Sequence, residues 1–192
     1  AEQDPIYWWD CVIKCINILN KKINFKLIDA IGISYQMHGL VALDINGKPV
    51  RPSIIWCDSR AVEIGLKTHD DLDSKIISKH LLNSPGNFTA SKLKWVKDNE
   101  PEIYNSIHKI MLPGDYIAYK FTGKMITTES GLSEAILWDF NRGELSKDLL
   151  RYYDIDEKMI PEVVSSFGIH GNVKDDVSNL FVKELLSFKG VE

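Results

Sequence analysis

Cysteine is scarce in this chain: Cys11, Cys15 and Cys57 are the only three in 192 residues. An odd, sparse set excludes a disulfide framework and fits a reducing cytosol, so a cytoplasmic location is expected. Cys11 and Cys15 stand four apart, a spacing that can bind metal. No second Cys or His pair lies nearby, so they are read as two small buried residues. Positive charge is not in excess either. The formal net charge is −4, which leaves no basic footprint for nucleic acid. No apolar run approaches the roughly 18 residues of a membrane span, and the first residues show no signal-peptide pattern. Internal repeats, low-complexity segments and both common glycine-rich phosphate loops are missing as well.

What is present is an ordinary globular composition, 44% hydrophobic and 26% charged, with length enough to bury a sizeable core. Asp4-Pro5 is a helix start, and Trp9, Val12, Ile13, Ile16 and Leu19 recur at helical spacing, which predicts a helix over 5–22. Trp8 and Trp9 at its head are read as core. Ile28–Ser34 and Leu40–Asp44 read as strands. The Asn46-Gly47 pair predicts a tight hairpin turn with positive φ at both residues, and a returning strand over 50–57. Ser59 is the expected cap of a helix over 61–72. Residues 73–88 carry a Pro85-Gly86 break and no strong period.

Further helices are expected from Thr89 or Ser91 to Pro101, at Tyr116–Phe121 with Asp115 as cap and Gly123 as stop, and over 146–153. Lys109–Leu112 is a short strand, Thr127–Asp139 a loop running into apolar residues, and Val177–Phe188 a last helix. Asp115 and Asp139 lack a partner carboxylate at useful spacing and are read as structural. Strands alternating with helices make the class α/β.

Between the first two strands lies Gln36-Met37-His38-Gly39. Buried strands fix such a loop in place, and the loop supplies donors and acceptors, as a small polar ligand needs. A neutral imidazole at His38 can donate through one nitrogen and accept through the other to adjacent hydroxyls. The same imidazole could instead be satisfied at a strand end in a purely structural role. Asp58 and Arg60 either meet hydroxyls or pair with each other at a helix start. Lys92, mid-helix, is read as a solvated or structural cation.

Several segments carry a family resemblance: Ala1-Glu2-Gln3-Asp4-Pro5 with Trp8-Trp9, Ile31 to Gly39, Arg51 to Arg60, Thr89 to Val96, and Met111-Leu112-Pro113-Gly114-Asp115-Tyr116 with Thr122-Gly123. In order and spacing they resemble the FGGY carbohydrate kinases, and the Gln36–Gly39 loop is most similar to the xylulose-phosphorylating branch. The resemblance implies a ribonuclease-H-like, actin/hexokinase-type domain, partial, with an inserted β-hairpin. Residues 1–192 would be the N-terminal sugar-binding domain, without its first strands and without the C-terminal ATP-binding domain.

It also implies ATP and Mg²⁺ as cofactors, bound mostly outside this chain, and a general-base Asp beyond Glu192, so no catalytic residue is assigned here. Substrate contacts are expected from Gln36, Met37, His38, Trp56, Asp58 and Asn87, with Trp56 stacked on the sugar's carbon chain. Some relatives place an aromatic or basic residue at the Asn87 position, so Asn87 is a departure that leaves the sugar open. The implied activity is phosphorylation of a ketose, D-xylulose first, with ribulose, gluconate or glycerol as alternatives. A non-catalytic sugar-binding module is a further possibility. Missing central strands would expose sheet edges, so pairing into a homodimer is also expected.

Overall fold

The computed structural model describes residues 1–179. Helix α1, Pro5–Asn20, starts where the sequence places it: the Asp4 carboxylate accepts from the Ile6 N–H at 2.8 Å and proline occupies the first turn. Cys15 on this helix is exposed and Cys11 half-buried, so the expectation of two buried cysteines does not hold. The helix packs one face only, and these residues lie toward its open side.

Four short strands form the central layer. Strand β1, Glu2–Gln3, pairs antiparallel with β3, Ser53–Ile54, and β2, Val41–Leu43, pairs antiparallel with β4, Lys109–Met111. A bridge from Leu40 to Ile54 joins the two pairs into the order β1-β3-β2-β4. Alternation along β2 explains the layering. Leu40 and Ala42 enter one apolar cluster with Leu93, Val96, Ile110 and Leu137. Val41 and Leu43 enter another with Met111, Tyr116, Ile117 and Phe121, against which Trp8, Trp9 and Val12 pack. A strand covered on both faces has no polar alternation to show, which is why Leu40–Leu43 reads as a continuous apolar run.

The hairpin turn forms, by a route other than the expected one. Gly47 alone has positive φ, at 73°. The Asp44 carboxylate accepts from the N–H groups of Asn46 at 2.9 Å and Lys48 at 2.8 Å. This side-chain turn holds Asn46 on the ordinary side of φ, so the connection takes the longer form with one left-handed glycine. The first strand predicted, Ile28–Ser34, carries no ladder. No strand among the described residues pairs with it, and Ile28, Ile31 and Ile33 are exposed.

Helix α2, Val62–Asp71, has no side-chain cap, so Ser59 does not serve as one; Ser59 instead accepts through its carbonyl from the Val62 N–H. A π-helical turn at Ile76–Leu81 follows. Helices α3, Thr89–Asn99, and α4, Pro101–Ser106, close one side of the layer. Helix α5, Pro113–Thr122, begins three residues earlier than expected. Asp115 is therefore inside the first turn and not a cap. Its carboxylate is buried, accepts from the Thr127 hydroxyl at 2.8 Å, and is pushed up to about 6 by that burial.

The stretch expected as a loop at 127–139 holds β5, Ile126–Thr128, α6, Glu129–Glu134, and β6, Trp138–Asp139. Here Thr128 caps α6 by accepting from the Gly131 N–H. Strand β7, Glu144–Leu145, pairs with β6; α7, Lys147–Tyr153, is capped by Ser146; and β8, Glu162–Val164, runs parallel to β5. The helix expected over 177–188 lies outside the described residues beyond Asn179. Among the described residues no helix is long and apolar enough to cross a membrane.

Asp139 is fully buried and pins β6 to its surroundings. Its carboxylate accepts from His80 Nδ1 at 2.9 Å and from the N–H groups of Asn141 and Arg142 at 3.0 Å. Burial opposes its charge, but these donors together hold it below the usual carboxylate range. Asp139→Asn keeps an acceptor and removes the charge, so thermal unfolding should show a loss of about 1–2 kcal/mol. The contribution is present above the unfolded pKa and is lost as pH falls through the folded one. The difference between wild type and variant should accordingly shrink in acid; a difference independent of pH would contradict this.

Candidate functional site

The end of β2 delivers the Gln36–Gly39 loop to one rim of the molecule. Gly39 is required there, since a Cβ at this position would lie 2.5 Å from the Pro113 ring. His38 stands just before it in the left-handed region, φ 59°, a conformation that costs most side chains about 1–2 kcal/mol. Three contacts hold it. Its N–H donates to Glu134 Oε1 at 2.6 Å, its carbonyl accepts from Lys92 Nζ at 2.6 Å, and its ring meets Phe88 edge-on with centroids 4.3 Å apart.

The ring's chemistry follows from its partners. His38 Nδ1 lies 3.2 Å from the Glu134 carbonyl oxygen, which can only accept, so Nδ1 carries the proton. Burial, aided by the Lys92 charge, lowers the imidazole below its ordinary value against the opposing pull of Glu134. The neutral ring therefore keeps an unprotonated Nε2, an acceptor for one hydroxyl. Of the two nitrogens that could meet hydroxyls, Nδ1 is taken by the Glu134 carbonyl.

Beside this ring is a concavity of about 350 Å³ lined by His38, Leu82, Phe88, Glu134, Ile136 and Phe140 among others. That volume lies within the range of small-molecule sites, about 300–1,000 Å³. An internal space of about 10 Å³ near Thr89, Asp115 and Thr127 holds no more than a water. Among the described residues four non-glycine positions have positive φ, and three of them, His38, Leu82 and Ile136, border the larger concavity. Strain gathered at one surface is the pattern of a site that surrounding structure over-determines. Leu82 is exposed and gains little from burial. Leu82→Gly should therefore raise stability by roughly 0.5–1 kcal/mol in thermal denaturation; a loss of that size would mean the leucine side chain, not its φ, decides the position.

The other expected contacts are placed differently. Gln36 donates from Nε2 to Gln3 Oε1 at 2.9 Å, and Met37 is 54% exposed. Trp56 is 57% exposed on the turn after β3. Asp58 is buried and paired with Arg60, whose Nε lies 2.8 Å from Oδ1 and Nη2 2.9 Å from Oδ2. Burial pushes this carboxyl up, and the Arg60 and Ala1 nitrogens outweigh it and hold it far below the usual range. Asn87 donates to the Asp58 carbonyl. Of the six expected contacts, only His38 borders the concavity. Glu134 and Phe88 also border it and were not picked out, because their ties to the loop bridge some 96 residues (Glu134) and are formed only by folding. Lys92, read as solvated or structural, is fully buried.

Comparison with known proteins places this geometry. The domain model described as "FGGY family of carbohydrate kinases, N-terminal domain" matches residues 1–186. The xylulose kinase of Staphylococcus xylosus is 32% identical over 184 residues, covering 93% of this chain and 37% of that protein. A crystal structure of a xyloylose kinase from Brucella ovis superposes with a TM-score of 0.82 at 30% identity, covering 94% of this chain and 37% of that one. The gluconate kinase of Lactobacillus acidophilus shares the fold, with a TM-score of 0.85 at 24% identity over 95% of this chain and 37% of that chain. The fold is thus the ribonuclease-H-like one of the actin- and hexokinase-type sugar kinases. More narrowly, the chain belongs to the FGGY family of carbohydrate kinases. It spans little more than a third of the length of these relatives, 37%.

Proposed function

We propose that this chain is the sugar-binding part of an ATP-dependent carbohydrate kinase whose substrate is a ketose, D-xylulose in the first place, and whose product is the sugar phosphate. The observation that carries the reading is the His38 imidazole, its Nδ1 proton held by the Glu134 carbonyl and its Nε2 left as an acceptor, on the lining of a concavity of about 350 Å³. Membership of the family supports the reaction class, and the names of the more similar relatives support the ketose. In such a reaction the sugar hydroxyl oxygen attacks the γ-phosphorus of ATP, the bond to the ADP oxygen breaks, and the hydroxyl proton goes to a base.

This chain's part is alignment. Nε2 accepts from one hydroxyl and fixes the sugar's register, while Phe88 and Phe140 cover C–H faces and exclude water. Among the described residues no three His, Cys, Asp or Glu side chains gather as a metal ion would need. In kinases Mg²⁺ is held through one or two carboxylates and the nucleotide's own phosphates, and ATP with its metal is assigned, as the family resemblance implies, mostly to parts of the protein outside this chain. The test is a panel of D-xylulose, D-ribulose, D-gluconate, glycerol and a polyol, each offered with ATP to the complete protein. The expected outcome is the highest kcat/KM with D-xylulose. Turnover of another substrate above all ketoses would sink the ketose reading, and turnover of none would sink the kinase reading.

A further inference from the structure

We infer that Glu134 sets the charge specificity of the site, admitting neutral ketoses and polyols and turning away sugars that carry a carboxylate, a proposal that rests on the sugar-kinase reading above. Glu134 ends α6 and lines the concavity beside His38. Its two oxygens are fixed: Oε1 accepts from the His38 N–H at 2.6 Å and Oε2 from the Tyr35 hydroxyl at 3.0 Å. The carboxylate is therefore held in place and cannot swing away from an incoming anion. Every other lining side chain is neutral or apolar, Asn83 and Ser133 being the polar ones besides His38. Lys92, the cation tied to this loop, reaches the His38 carbonyl and does not line the concavity.

A fixed negative charge with no cation facing it repels a bound carboxylate at close range, while hydroxyls can donate to it at no such cost. The same two bonds make Glu134 a positioning residue for the loop, which dictates the choice of variant. Glu134→Gln retains a carbonyl oxygen for the His38 N–H and an amide that can donate to the Tyr35 oxygen, so geometry is kept and charge removed.

The experiment uses the complete protein and two numbers, the KM for D-xylulose and the inhibition constant of D-gluconate against it. Glu134→Gln should shift the ratio of the two toward gluconate by about ten-fold. Asn83→Lys, an exposed rim position that leaves the His38 loop untouched, should shift it the same way through an added cation. The inference stands if either variant with wild-type melting behaviour moves the ratio toward the anion. It is overturned if both leave the ratio unchanged. If wild type phosphorylates D-xylulose and other sugars not at all, the reading beneath it fails and this inference falls with it.

Discussion

His38→Ala in the complete protein is expected to lower kcat/KM for the sugar about ten- to a hundred-fold, chiefly by raising KM. The estimate comes from one lost hydrogen bond whose hydroxyl partner stays buried without an acceptor, roughly 1–3 kcal/mol. The interaction exists in the ground state as well as the transition state, so kcat should change little. Alanine brings a complication, because φ at this position is 59° and alanine tolerates it poorly. Asparagine tolerates it better, so His38→Asn separates loop conformation from lost ring chemistry. The asparagine variant should keep the wild-type melting temperature and still show the raised KM. Unchanged kcat/KM in both variants would remove His38 from the site.

Acid should mimic the substitution. Protonation at Nε2 turns the acceptor into a donor, and the imidazole's pKa is lowered from its ordinary value of 6.5. Sugar affinity should therefore hold across neutral pH and fall only in more acidic solution, with His38→Asn lacking that step.

How much of this was legible beforehand depends on the range of the interaction that decides each feature. Helix α1 is fixed by its own cap and its own apolar spacing, and it appears where the residues put it. Ile28–Ser34 has strand composition, but a strand exists only as one side of a ladder, and no described residue supplies the other side. The Asn46-Gly47 turn was legible as a turn. Its form was not, because Asp44 competes for the same N–H groups through its side chain. At the site, His38 stood out by being polar between apolar runs. Glu134 gave no such sign, since a glutamate at the end of a short helix is usually solvated; only the fold brings it to the His38 N–H. Asp58 and Arg60 had two readings open, and their bidentate pairing together with the Asn87 contact shows them bracing one another next to β3.

Lys92 is where stability and function are expected to separate. It is fully buried with Nζ on the His38 carbonyl, and burial pushes its ammonium down from 10.5 to about 8. Between those values the unfolded chain holds the proton more firmly than the folded one, so stability must rise with pH across that window. Below about 8 both states are charged and the folded state bears the whole cost, on the order of 3 kcal/mol. Lys92→Met fills similar space without a charge. It should unfold at higher denaturant than wild type at pH 7, by roughly 1–3 kcal/mol, and lack the rise from pH 8 to 10. The same variant frees the carbonyl that helps hold His38 in its left-handed conformation, so kcat/KM should drop about ten-fold through KM. A more stable protein with a weaker hold on the sugar is the expected combination, because the buried cation costs the fold while its bond to the His38 carbonyl holds the loop. A methionine variant less stable than wild type at pH 7, with the alkaline rise intact, would show that the ammonium is not the source of the cost. One that keeps wild-type kcat/KM would show that the loop stands without it.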